Sequence, residues 1–147
     1  MKIIPIDHDK KRFLDLLLLG DEQESMIDRY LERGTMFAVY DPDVRGVCVV
    51  TDEGDGVLEL KNIAVSPEFQ HHGYGRKMIA FLEGSYRGSY QVLRVGTGDS
   101  ILTLPFYEKC GFREVYRIEG FFTENYDHPI LEAGKQLVDM VVLEKQI

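Results

Sequence analysis

The run Gln70-His71-His72-Gly73-Tyr74-Gly75-Arg76 follows directly on an apolar segment ending Ile63-Ala64-Val65-Ser66-Pro67 and opens into residues at helical spacing. Glycines at 73 and 75 allow a tight turn and a close approach of backbone to a ligand. The unpaired N–H groups of a helix start and the positive end of its dipole face outward there, so strand, turn and helix together form an anion trap that a diphosphate would fit. Two familiar phosphate sites are set aside: the chain has no G-x-G-x-x-G with a downstream ribose-binding acid and no Gly-Lys-Ser/Thr. Taken alone, the glycine spacing suits close packing better than ligand binding.

The elements that must position this turn follow from pattern. Met1 to Ile6 reads as a strand, and Lys10 to Leu19 and Glu22 to Arg33 as two helices. Met36–Tyr40, Val44–Thr51 and Val57–Val65 form an antiparallel meander whose turns are Asp41-Pro42-Asp43 and Glu53-Gly54-Asp55-Gly56. In the last of these strands Val57, Glu59, Lys61, Ile63 and Val65 share one face. After the glycine turn, Met78, Ile79, Leu82 and Tyr86 make the buried stripe of a helix ending near Gly88. Tyr90–Val95 is a strand. The run from Phe106 is a helix stopped by Gly111 just past its end, with Pro105 either in its first turn or kinking it. Phe112–Glu119 and Val138–Lys145 are strands, separated by a polar stretch from Thr123 to Lys135. The crossover from 57 to 95 predicts one parallel pair in a mostly antiparallel sheet flanked by helices, an α+β fold over one domain, residues 1–147. Ligands gather beyond the carboxyl ends of such strands, where the glycine turn lies.

Composition bounds the partners. With 44% hydrophobic and 29% charged residues, and no repeat or low-complexity tract, the chain has globular proportions. A net charge of −8 argues against nucleic acid and suits a cationic partner better, or simply keeps the protein soluble. The apolar start near Leu14–Leu19 is interrupted by Asp7, Asp9 and Asp15, lacks a cleavage site and is too short for a bilayer, so no membrane role is expected. Cys48 and Cys110 give neither a disulfide framework nor a metal-ligand spacing, and His71 and His72 have no further ligands to complete a metal site. A cytoplasmic location is the default.

The glycine run, taken with Phe106-Tyr107-Glu108-Lys109-Cys110-Gly111-Phe112 further on, resembles the GNAT superfamily of acetyl-CoA-dependent N-acyltransferases. The first run is similar to that family's Q/R-x-x-G-x-G/A pyrophosphate motif and the second to its Y-x-K-x-G-F helix, and the element order matches over nearly the whole chain. The resemblance implies that backbone N–H groups of His71, Gly73, Gly75 and Arg76 hold the diphosphate of coenzyme A, with Gln70 and His72 shaping the loop and Tyr74 also among the coenzyme-binding residues. It also implies that the strands at 57–65 and 90–95 splay apart, so that the pantetheine arm pairs with Ile63, Ala64 and Val65 as an added strand.

Acetyl transfer to an amine needs a deprotonated amine, a donor for the carbonyl oxygen and a proton for the departing thiolate. By the resemblance the amine attacks directly, so neither cysteine is assigned as a nucleophile. Tyr107 matches the family tyrosine that protonates the thiolate. Glu59, fourteen residues before Gly73, has the offset of the glutamate that acts through water as general base in the histone-acetylating members. On its strand it could equally be a carboxylate paired with Lys61. The N–H of Ile63 matches the oxyanion donor. Asp99-Ser100 stand where many members carry an asparagine that touches the pantetheine arm; Ser100 is the substitute, or a simple turn cap.

The acceptor is expected to meet the first two helices and the Glu119–Lys135 segment, with Glu124, Tyr126, Asp127, His128 and Glu132. Their acids suit a cation, in a small-molecule or protein amine. The resemblance is compatible with a homodimer through the C-terminal strands. The alternatives are a coenzyme A-binding or sensing module without catalysis and a purely structural interaction domain.

Overall fold

In the computed structural model, which describes every residue from Met1 to Ile147, the chain opens with β1 (Lys2–Ile6), a 3-10 turn at Lys10–Phe13, α1 (Leu14–Gly20) and α2 (Glu24–Ile27). The meander follows as β2 (Thr35–Tyr40), β3 (Val44–Asp52) and β4 (Val57–Val65). Then come α3 (Tyr74–Tyr86), β5 (Val92–Gly98), α4 (Leu104–Lys109) and β6 (Arg113–Ile118). α5 (Phe121–Asn125), a small hairpin of β7 (Leu131–Glu132) and β8 (Lys135–Gln136), and β9 (Met140–Gln146) complete it. The main sheet has seven strands in the order β1-β2-β3-β4-β5-β9-β6. All its pairings are antiparallel except β4 with β5.

The central strands are apolar on both sides because both faces are covered. Phe37, Val39, Cys48 and Val50 face one way, into a core built with Met78, Ile79 and Leu82 of α3 and Tyr107 of α4. Met36, Ala38, Val47 and Val49 face the other way, against Leu17 of α1, Ile27 of α2 and Tyr30 and Leu31 beyond it. Fully burying an aliphatic side chain of this kind contributes about 1.5–3 kcal/mol, so the two faces hold the helices on either side. Met78, Ile79 and Leu82 are the buried stripe that the spacing predicts, and Tyr86 packs at its edge.

Several boundaries differ from the expectation. The second helix covers only Glu24–Ile27, not Glu22–Arg33. The chain instead turns through residues 28–34, where the buried Lys10 donates from Nζ to the carbonyls of Leu31 (2.9 Å) and Gly34 (2.8 Å). The strand expected at Tyr90–Val95 begins at Val92 and runs to Gly98. The polar stretch from Thr123 to Lys135 is structured, holding part of α5, β7 and the start of β8 over a small core of Phe122, Ile130 and Leu137.

One difference concerns the site itself. Val49 pairs with Asn62 and Val50 with Leu60, so Lys61 is an extra residue in β4, a bulge. Val57, Glu59, Lys61, Ile63 and Val65 therefore do not share one face. Before the bulge Leu58 and Leu60 face the α3 core; beyond it Ile63 and Val65 do, while Ala64 joins the α1 side.

Candidate active site

β4 and β5 are hydrogen-bonded only from Val57↔Val92 to Leu60↔Val95. Beyond that point each strand stays with its outer neighbour: Asn62–Val65 remain paired with β3, and Gly96–Gly98 with β9. The two halves of the sheet part there, leaving along Ile63, Ala64 and Val65 a backbone edge that pairs with no further strand. Gly96 and Gly98 permit the close approach of the chain on the other half. A Cβ at these positions would stand 2.4 Å from the Met140 sulfur and 2.4 Å from Leu137 Cδ1, respectively.

The glycine turn lies at the open end of β4. His71 (φ +64°) and Gly73 (φ +87°) both take the left-handed conformation, and α3 begins at Tyr74 with no side chain capping its first N–H groups. His71, His72, Gly73 and Arg76 are exposed. Gln70 donates from Nε2 to the carbonyl of Val65 (3.1 Å), and His72 Nδ1 lies 2.8 Å from the carbonyl of Gln70, so these side chains fix the loop. A Cβ on Gly73 would meet no atom within 4 Å, whereas one on Gly75 would lie 3.1 Å from the Phe106 ring. Gly73 is thus the turn glycine; Gly75 lets α3 and α4 approach.

Two braces went unseen in the sequence. The Tyr74 hydroxyl donates to Asp41 Oδ2 (2.9 Å), a bond that holds the Asp41 carboxyl below its usual range. The Arg45 guanidinium lies 3.5 Å from the centroid of the Phe69 ring and donates from Nε to the Asp41 carbonyl (2.8 Å). Both tie the turn to the β2–β3 connection. An Asp and an Arg beside a turn proline carry no sequence signal for this, because their partners lie far along the chain.

Tyr107 is buried on α4, its ring edge-on to Phe106 and Phe112 at centroid distances of 5.2 and 5.7 Å. Pro105 sits in the first turn of that helix, and Gly111 takes φ +98° just past its end, as expected. Burial pushes the phenol of Tyr107 well up, with smaller contributions from Cys110 and Glu132, so it stays protonated in the resting protein. Burial likewise raises both thiols, Cys48 up to about 12. Neither is an activated nucleophile.

Glu59 lies on the last paired stretch of β4, with Lys61 Nζ 2.6 Å and Arg94 Nη1 3.9 Å away. Arg94 in turn donates from Nε to Glu144 (2.9 Å), and the register places Glu59, Arg94, Glu144 and Arg113 side by side across four strands. The structure therefore puts Glu59 beside the parting of the strands and also in an ion-pair row, the pairing with Lys61 that the sequence allows. Ser100 is buried, and its Oγ accepts from the N–H of Leu102 (3.1 Å), which makes it the cap of the turn before α4.

On the α1 side, the α1–α2 turn is strapped to the segment after α5. The Tyr126 and Tyr30 hydroxyls donate to the two oxygens of Asp21 (2.5 and 3.0 Å), and Asn62 donates to the Tyr30 hydroxyl (3.1 Å). The N–H of Asp127 donates to Gln23 (2.9 Å), and His128 Nε2 lies 3.1 Å from Glu22. Burial raises the Asp21 carboxyl despite its two donors. The first two helices and the 120–130 region, expected to meet the acceptor, are thus in contact with each other.

His128 is raised above its ordinary value near 6.5, first by its hydrogen bond to Asp127 and then by Glu22. A raised folded-state value stabilises fully below the unfolded value and is lost as pH climbs through the folded one. We expect His128→Gln to melt below the wild type at about pH 6 and to converge with it by about pH 9, read by thermal unfolding. A constant gap over that range would show that the strap does not titrate.

Residues 32–114 match the family described as the acetyltransferase (GNAT) domain, and the chain belongs to that family. It is 37% identical over 132 residues to the uncharacterized N-acetyltransferase YvbK of Bacillus subtilis, covering 88% of this chain and 85% of that one. A GNAT family acetyltransferase from Elizabethkingia anophelis, solved with acetyl-CoA bound, superposes with a TM-score of 0.93 at 33% identity, over 99% of this chain and 97% of its own. A Bacillus subtilis acetyltransferase in complex with CoA does so at 0.89 and 33%, over 99% and 98%. No helix of the chain is long and apolar enough to cross a membrane.

Proposed function

We propose that the protein is an acetyl-CoA-dependent N-acetyltransferase that passes the acetyl group to a primary amine of a small molecule or protein by direct attack in a ternary complex. The observation that carries this is the parting of β4 from β5 after Leu60 and Val95, with the uncapped start of α3 beyond the end of β4 and Tyr107 on α4. The fit to coenzyme A rests on the turn. Successive N–H groups at His71, Gly73, Gly75 and Arg76 suit a diphosphate, and Gly73 leaves open space where a side chain would intrude. Gln70, His72 and Tyr74 hold the loop, and the free edge at Ile63, Ala64 and Val65 receives the amide groups of the pantetheine arm.

In this scheme the Ile63 N–H meets the carbonyl oxygen as it gains negative charge. Glu59 draws the proton from the amine through water, with Lys61 and Arg94 fixing its carboxylate, and Tyr107 protonates the departing thiolate. Ser100 shapes the turn beside the arm. Acetyl-CoA binding to Gly73→Ala tests the coenzyme assignment. Alanine at φ +87° is strained by about 1–2 kcal/mol and puts a methyl group in the proposed cradle. We expect calorimetric affinity to fall by at least about tenfold, since 1.4 kcal/mol is tenfold in a dissociation constant. Unchanged affinity in a folded variant would remove the turn from the site.

A further inference from the structure

The β7–β8 hairpin is built inside out. Neighbouring side chains on a strand point to opposite faces, and here Leu131 is 62% exposed while Glu132 turns inward. One carboxylate oxygen of Glu132, Oε2, is buried with no hydrogen-bond partner. The opposite arrangement would bury the leucine and return the carboxylate to water, both favourable. A one-residue shift of register would achieve it, because such a slip sends every side chain to the other face. The turn prevents the slip: Ala133 and Gly134 have φ of +52° and +76°, and the pairing is fixed as Leu131↔Gln136 and Glu132↔Lys135. Ala133 takes this conformation without the freedom of glycine. Just outside the hairpin, the N–H of Leu137 donates to the carbonyl of Ile130 (2.8 Å), and both side chains are buried.

The inward side faces the start of α4. Glu132 lines a cleft of about 380 Å³ together with Ser100, Ile101, Leu104 and Pro105, the last two from the first turn of the helix that carries Tyr107. The nearest cation across the hairpin is engaged elsewhere: Lys135 Nζ lies 3.6 Å from Asp99 Oδ2 and 3.2 Å from the Asp99 carbonyl. The cleft therefore holds a carboxylate with unused acceptor capacity beside the apolar Ile101, Leu104 and Pro105, Ile101 being 81% exposed, and the Asp99–Lys135 ion pair.

We infer that Glu132 receives the acceptor: it takes N–H hydrogen bonds from the cationic amino group and selects a primary amine with an apolar body. This rests on the acetyltransferase reading. The ammonium group gives one proton to the solvent chain at Glu59, its lone pair forms the C–N bond as the C–S bond breaks, and Tyr107 supplies the proton that the thiolate takes up. The second proton of the new amide nitrogen leaves through the same solvent chain and the phenolate of Tyr107 regains one, so the reaction releases one proton net. Glu132 binds and orients, and gains no proton in the balance.

The test compares wild type with Glu132→Gln and Glu132→Leu, using phenethylamine as the cationic probe and aniline as a neutral one. For phenethylamine, Glu132→Gln is expected to lower kcat/KM at least about tenfold, mainly through KM, while aniline changes much less and acetyl-CoA affinity is kept. Because removing a partnerless buried carboxylate relieves the fold, Glu132→Leu is expected to raise Tm by roughly 2–4 °C. Phenethylamine added to the coenzyme A complex is expected to raise the Tm of the wild type and not of Glu132→Gln, a readout that needs no turnover. If the wild type acetylates neither amine yet shows that shift, catalysis fails and Glu132 stands. A shift of equal size in Glu132→Gln, no shift in the wild type, or a fall in Tm for both variants overturns the assignment.

Discussion

Replacing Tyr107 by phenylalanine is expected to lower kcat for acetyl transfer by about 10²- to 10⁴-fold, the usual range for loss of a positioned proton donor, while acetyl-CoA affinity and Tm stay near wild type. The effect is local. The ring fills the core between Phe106 and Phe112, and phenylalanine keeps that packing. No side chain of the protein hydrogen-bonds the hydroxyl, so its removal strands no partner. What disappears is a phenol that burial keeps protonated. A rate within about threefold of wild type would remove Tyr107 as the acid, and an equal loss of acetyl-CoA affinity would make it a binding group instead.

Phe112→Ala carries the second large effect, on stability. Phe112 is 2% exposed, lies edge-on to Tyr107 and has the Lys145 ammonium 5.7 Å from its ring centroid. Truncating a buried phenylalanine costs about 3–5 kcal/mol through lost transfer energy and the cavity left behind. For a chain of this length that is a fall in Tm of roughly 10 °C. Because the cavity opens beside Tyr107, kcat should fall as well, and Phe112→Leu should recover most of the stability. A loss below about 1 kcal/mol would mean that α4 is held in place by other contacts.

The parts legible in the sequence are those whose determinants are local. Gly73, Pro105 and Gly111 punctuate the chain at positions where only particular backbone geometries serve, and the structure uses each accordingly. The stripe of Met78, Ile79 and Leu82 reports one helix face against one core. The parallel pairing of β4 with β5 followed from a strand, helix, strand passage, and their parting was implied by the family resemblance.

What could not be read depends on partners distant in sequence. The bulge at Lys61 is set by Val49 and Val50 pairing with Asn62 and Leu60 across the ladder; in the sequence its only trace is the adjacent polar pair Lys61-Asn62 between Leu60 and Ile63, which does not by itself tell a bulge from a solvated pair. The second helix stops after Ile27, and the buried ammonium of Lys10, from before α1, reaches the carbonyls of the turn beyond it. α5 and the β7–β8 hairpin are too short for a periodic signal and are ordered by Phe122, Ile130 and Leu137 closing over the end of β5. The ion-pair row through Glu59 and the inward turn of Glu132 belong to the same class. Charge in a sequence marks a group but not its neighbours.

Acetyl transfer from acetyl-CoA straight to an amine is tested by parallel quantification of free thiol and acetylated amine across a panel of primary amines, with the protein's intact mass followed in the same samples. The expected result is thiol release above the amine-free rate for at least one cationic amine, one acetylated amine per thiol, and no acetylated protein when acetyl-CoA is supplied alone. Thiol release that never exceeds the amine-free rate although acetyl-CoA binds, or an acetyl group first captured on the protein, would contradict it.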